Sequence, residues 1–278
     1  MGHDSGSLPV DAQLMPAFPR LTVTRQVRRS GRRWTAIGMA FCAIAGAGTG
    51  TAGAQGLWED GAFALYRQAV EAMNKKDYEA ADRLVAEAIK QYPNHVLAYY
   101  LRGQAALAQS RWDAAAAAFA RVTELYPGSI AGFKSLGIAS EELGRTDDAA
   151  RAYETALKLS PTDDGLRARL GFLLLRAGRE AQGLVLLREL ADRDTKNADV
   201  WIALARNSYD KGDYPATERS FVRATALRDD GPAWFNLGVV RLRLDNRAGA
   251  LQAFEHAVAH AATREQATVE IERIKAAK

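Results

Sequence analysis

The sequence predicts an all-α protein: an α-solenoid of about six stacked helical hairpins with a C-terminal capping helix. Three observations carry that prediction. Pro93, Pro127 and Pro161 stand 34 residues apart, and a fixed period of that length marks a repeat architecture whose unit is one supersecondary element. A column of small residues keeps the same spacing, at Ala69, Gly103, Gly137, Gly171, Ala205 and, after a one-residue shortening, Gly238. Two further columns stay in step with it: Ala81, Ala115, Ala149, Gly183, Thr217 and Ala250, followed four residues later by Val85, Phe119, Tyr153, Leu187, Phe221 and Phe254.

Residues 130–161 display the unit most clearly. Phe133, Leu136, Ser140 and Leu143 fall at helical spacing, so a first helix carries a largely apolar stripe that must be covered. Gly144 breaks that helix. Asp147 and Asp148 then open a second one, where negative charge suits the macrodipole, and Ala149, Tyr153 and Ala156 share a face. A glycine at 137 costs about 1 kcal/mol of helix propensity relative to alanine. It is tolerable where the missing side chain lets the second helix approach, and Ala149 is the small residue expected opposite. Pro161 ends the second helix and suits the first turn of the next hairpin.

Taken in order, the chain begins with residues 1–54, which stand apart from the repeats. Residues 1–19 are polar or small, with Pro9, Pro16 and Pro19 and no sustained period, and are expected to be disordered. Six arginines from Arg20 to Arg33 precede an apolar run from Trp34 to about Gly48, and Ala52-Gly53-Ala54 follows. A positive segment, a short apolar segment and an A-x-A site mark an export signal, with cleavage expected between Ala54 and Gln55. The competing reading is an uncleaved inner-membrane anchor, for which the run is long enough but diluted by glycine, threonine and alanine. Arg32-Arg33-Trp34-Thr35 leaves the general and the twin-arginine export routes both open, and Met15 is an alternative start. Cys42, the only cysteine, follows the large Phe41 and not the small residue that lipidation needs, so the exported chain would carry no thiol.

Removing residues 1–54 takes away six arginines and two aspartates, leaving 31 basic and 31 acidic residues. The sequence pI near 9.2 therefore belongs to the leader, and the remainder lacks the basic footprint of a nucleic-acid binder. A linker at 55–61 leads into six hairpins over 62–262. Residues 263–278 read as a capping helix, with Val269, Ile271 and Ile274 among charged neighbours, of the kind solenoids use to close their last repeat.

The segment 62–262 resembles the tetratricopeptide repeat family. The family pattern, W-x2-L-G followed by A-x3-F and P, appears as Trp234, Leu237, Gly238, Ala250 and Phe254, and as Phe133, Leu136, Gly137, Ala149, Tyr153 and Pro161. Departures are local: Thr195, Asp229 and Ala262 replace the closing proline, and Gly183 weakens the fourth unit. The resemblance implies a right-handed solenoid whose first helices line a concave groove for a protein or peptide partner. The groove positions it implies are Tyr66, Val70, Tyr100, Gln104, Lys134, Ile138, Ala168, Phe172, Ile202, Arg206, Phe235 and Val239. Most of these are large aliphatic or aromatic residues, which suits an apolar helical or extended segment. Lys134, Arg169, Arg206 and Asn236 do not follow the succession of the family's carboxylate clamp.

No catalytic constellation stands out. There is no G-x-S-x-G, no phosphate-cradling glycine loop and no cysteine available as a nucleophile. Glu141-Glu142, Asp147-Asp148 and Asp229-Asp230 fall at helix ends and turns, where solvated caps are expected. His256 and His260 share a helix face, but Gln252, Gly249, Ala253 and Thr263 beside them supply no third ligand, so no metal or cofactor is expected. The sequence thus points to a non-enzymatic binding scaffold in a bacterial envelope, periplasmic or secreted after cleavage and not membrane-spanning, with a carbohydrate- or peptidoglycan-binding module as the alternative. It encodes neither the partner's identity nor the oligomeric state.

Overall fold

In the computed structural model the described residues are 61–277, and they form thirteen helices and no strand. They fall into two compact units, residues 61–180 and 181–277. The first holds α1 (Gly61–Asn74), α2 (Tyr78–Gln91), α3 (Val96–Ala108), α4 (Trp112–Leu125), α5 (Ile130–Glu142), α6 (Thr146–Leu159) and α7 (Asp164–Arg176). From Ala181 onward, the second holds α8 (Glu180–Asp192), α9 (Ala198–Asp210), α10 (Tyr214–Leu227), α11 (Gly231–Arg243), α12 (Arg247–Val258) and α13 (Arg264–Ala276). The segment 1–60, on which the expected leader, export signal and cleavage residues Ala52, Ala54 and Gln55 fall, lies outside the described residues.

Helix boundaries follow from local chemistry. At the first helices, His95 Nδ1 accepts from Ala98 N–H, Ser129 Oγ from Gly132 N–H and Asp163 Oδ1 from Leu166 N–H. Each supplies one acceptor to the orphan amides of a helix start. The ends of these helices share a second device. Lys76, Ser110, Gly144, Gly178, Gly212 and Asp245 all have φ between 57° and 74°. The residue after each donates its amide to a carbonyl five residues back, as in Arg145 N–H to Ser140 O at 2.9 Å and Arg111 N–H to Ala106 O at 2.9 Å. That bond closes a helix through a left-handed residue and turns the chain sharply into the second helix.

Within residues 61–180, α1 packs on α2, α3 on α4 and α5 on α6, and each second helix packs on the next first helix. Contacts of α3 with α1 and with α5 set the first helices in one row. The core between layers is built from the columns seen in sequence: Ala81, Val85, Ala115, Phe119, Ala149 and Tyr153 are all fully buried. Ala106, Ala115, Phe119 and Ala139 form one such cluster. In residues 181–277, Ile202, Phe221, Leu237 and Val240 make one cluster, while Phe235, Val239, Phe254, Ala267 and Ile274 make another. The second cluster includes α13, which covers the last hairpin with Ala267 and Ile274. Within α13, the Glu270 carboxylate is tied to Arg273 at 3.1 Å.

Candidate partner-binding surface

The row of first helices in residues 61–180 presents Tyr66, Val70, Tyr100, Gln104, Lys134, Ile138 and Phe172 in partly buried positions. None is fully solvated. The Tyr66 ring centre lies 5.4 Å from that of His95, and Tyr100 meets Phe119 edge-on at 5.5 Å. These rings are held by the core while part of each remains at the surface, so they are anchored and not loose. Burial of His95 pushes its pKa down, and its acceptor role at the start of α3 requires the neutral imidazole on that nitrogen.

In residues 181–277 the equivalent positions behave differently. Ile202, Phe235 and Val239 are buried, at 2%, 5% and 0% exposure. Ile202 packs with Phe221 and Leu237, and Phe235 stacks obliquely on Phe254 at 5.3 Å in the cluster that α13 completes. As placed, these three are core residues. Ala168 is buried too, whereas Arg206 is exposed.

Polar chemistry on the first unit centres on Glu141, where sequence reasoning expected a solvated cap. Its side chain is only 9% exposed and is gripped by three donors. Arg169 Nε and Tyr153 Oη both donate to Oε2 at 2.9 Å, and the Arg176 guanidinium donates to Oε1. Burial alone would raise the Glu141 pKa, but the charge and hydrogen bond of Arg169, with the bonds from Arg176 and Tyr153, hold it below the ordinary carboxylate value. Burial and the neighbouring Glu141 push the Tyr153 phenol up, so it stays protonated and serves as a donor. The Arg169 guanidinium also lies 5.6 Å from the Tyr153 ring centre. A second pair, Lys134 Nζ to Asp163 Oδ2 at 2.7 Å, sits beside it. Burial opposes the Asp163 charge, yet Lys134 and the Leu166 amide keep its pKa low.

The only sequence signal for this cluster was the position of Glu141 one helical turn after Gly137, on the same first helix. Its partners come from 12, 28 and 35 residues further along the chain.

His256 lies on α12, but that helix ends at Val258, so His260 stands in the turn beyond it and the two histidines do not share a helix face; each is engaged separately. His256 stacks on Trp234 at 4.2 Å between ring centres, and His260 Nε2 lies 3.2 Å from Asp229 Oδ1, which also accepts from Trp234 Nε1. Among the described residues no group of three or more His, Cys, Asp or Glu is placed to hold a metal ion, and no helix is long and apolar enough to cross a membrane.

The tetratricopeptide repeat family matches the sequence twice, over residues 66–130 and 142–207. No curated protein matches it. Among solved structures, the chain is similar to YrrB, described as a tetratricopeptide repeat protein with an unusual peptide-binding site. That likeness has a TM-score of 0.56 at 16% identity and covers 68% of this chain and 97% of the other. It is also similar to the C-terminal part of a repeat-containing protein from Cytophaga hutchinsonii (TM-score 0.59, 15% identity, 69% and 78% covered). A third is PilW, described as a type IV pilus biogenesis factor (TM-score 0.50, 17% identity, 76% and 98% covered). Identities this low speak for the fold alone. With the 34-residue register, the packing of its columns and the two family matches in agreement, residues 66–130 and 142–207 are tetratricopeptide repeats, and the described residues have the all-α fold of a tetratricopeptide repeat solenoid.

Proposed function

We propose that this protein is a non-catalytic interaction scaffold of the bacterial cell envelope that holds a segment of a partner protein against the first helices of residues 61–180. The observation that carries this reading is the row of partly exposed Tyr66, Val70, Tyr100, Ile138 and Phe172, flanked by Lys134, Arg169 and Arg176. Burying the remaining half of five such side chains contributes roughly 4 to 8 kcal/mol before the costs of association, so weak to moderate affinity is expected. Tetratricopeptide repeats bind proteins or peptides as a class, and the leader pattern of residues 20–54 supports export.

The direct test replaces Tyr100→Asp or Phe172→Asp in the native chain and measures recovery of its partner from envelope fractions. Loss of one discrete protein with the chain still folded supports the reading, and unchanged recovery contradicts it. Export is tested by amino-terminal sequencing of the mature protein, which should begin at Gln55. The carbohydrate alternative draws on one observation: the rings of Phe63, Tyr66, His95 and Tyr92 follow one another at 5.4 to 6.0 Å, with Tyr92 53% exposed. It requires peptidoglycan fragments to raise the melting temperature of the purified chain.

A further inference from the structure

Successive first helices start on one column of cap residues with the period of the repeat: His95, Ser129, Asp163 and, in residues 181–277, Asn197. Each side chain accepts a hydrogen bond from an amide of the helix that follows. Serine and asparagine do not titrate. Burial opposes the Asp163 charge, but Lys134 and the Leu166 amide keep that carboxylate ionised to low pH. His95 is the one member of the column whose acceptor a mildly acidic solution can abolish, since an ordinary imidazole titrates near about 6.5.

Three features set a second proton against this site. Nδ1 lies 3.3 Å from the Ala98 nitrogen, whose hydrogen it shares with the His95 carbonyl at 3.0 Å, so a proton on Nδ1 turns an acceptor into a donor facing a donor. A positive charge would stand at a helix start, the end where the macrodipole favours anions. The residue is 9% exposed, its ring set between Tyr66 of α1 at 5.4 Å and Tyr92, just past α2, at 6.0 Å. Those two phenols face it. Further along, Asp82 of α2 and Arg102 of α3 bind each other at 3.0 Å, and from α4 Arg121 binds both Asn94, beside the histidine, and Glu124. The tyrosine faces attract a charged ring, but burial prevails and pushes the His95 pKa below its ordinary value. α1 and α2 meet the rest of this unit chiefly through α3. We propose that His95 is a pH-operated latch: its neutral ring fastens the hairpin of α1 and α2 to the start of α3, and a second proton on the ring releases it. The released ring takes that proton with its ordinary pKa. The latch is therefore at full strength above about pH 6.5 and weakens as pH falls toward the lowered folded value.

The test is amide hydrogen exchange of the full chain, followed by NMR from about pH 7.5 to about pH 5 and corrected for the intrinsic pH dependence of exchange. A detached hairpin cannot bury its own apolar faces, so its amides exchange with the cap. Protection at Ala98 and at the buried Val85 of α2 should be constant above about pH 7 and fall by up to about tenfold per pH unit below about pH 6.5. Gly132, capped by Ser129, and Leu166, capped by Asp163, should keep their protection, which separates the latch from a general effect of acid. His95→Asn and His95→Ser install the caps of the equivalent positions and should remove the dependence at both Ala98 and Val85. Protection in the native chain that stays constant at Ala98 or Val85, an equal fall at Gly132, or a fall that persists in either folded variant would overturn the assignment.

Discussion

Gly137 and Tyr153 occupy one space: a Cβ at residue 137 would run into the Tyr153 ring. The same relation holds one period earlier, where a Cβ at Gly103 would lie 2.6 Å from Phe119, and in the last hairpin, between Gly238 and Phe254 at 2.6 Å. The second helix therefore docks by laying an aromatic ring across the bare backbone of the first. Gly137→Ala, which would be neutral or favourable in an isolated helix, is expected to destabilise the folded chain by about 1 to 3 kcal/mol through overpacking. Ala149→Leu, at a fully buried position, should cost a similar amount. Urea denaturation midpoints measure both; an unchanged midpoint for either would break the proposed register.

Ser110 occupies the turn position that Gly144, Gly178 and Gly212 occupy in later repeats, at φ 57°. A side chain in the left-handed region carries a steric penalty of about 1 to 2 kcal/mol, partly offset by the entropy glycine loses on folding. Ser110→Gly should therefore raise stability by about 0.5 to 1 kcal/mol, and Ser110→Ala should not. Thermal melting of the two variants side by side checks the sign.

Glu141 is the acceptor for Arg169, Arg176 and Tyr153. Glu141→Ala leaves two guanidiniums and a phenol without it. Both arginines are more than a third exposed, so water recovers part of the loss, and a cost of about 1 to 3 kcal/mol is expected. Tyr153→Phe removes one hydrogen bond to a charged group and should cost about 1.5 to 3 kcal/mol.

The depressed pKa of Glu141 gives this cluster a pH signature. Its folded value lies below the unfolded one, so the stabilisation is complete above the ordinary glutamate pKa of about 4.3 and is lost as pH falls through the folded value. The stability gap between the native chain and Glu141→Gln should be constant from pH 7 to about pH 5 and shrink below the ordinary glutamate pKa. Denaturation midpoints across that range test it, and a gap that widens on acidification would contradict the assignment.

The hairpins were legible because their signals are local and repeated. The columns through Gly137, Ala149 and Tyr153 recur with one spacing, and the core uses those residues as spacing implies. The surface was less legible. Ile202, Phe235 and Val239 look like Tyr100 and Phe172 by register, but their burial depends on neighbours from other helices, including α13. Glu141 reads as a helix-end carboxylate, and only folding brings Arg169 and Arg176 to it. The left-handed turn at Ser110 was hidden for a different reason: glycine announces that geometry in three repeats, while serine, lysine and aspartate adopt it elsewhere without a compositional mark.

The central claim, that a partner segment lies against the first helices, is tested most directly by placing a photo-crosslinking amino acid at residue 100 or residue 172 of the full chain and irradiating intact cells. The account predicts the same discrete protein adduct from both positions. Folded chain that yields no protein adduct at either position would contradict it.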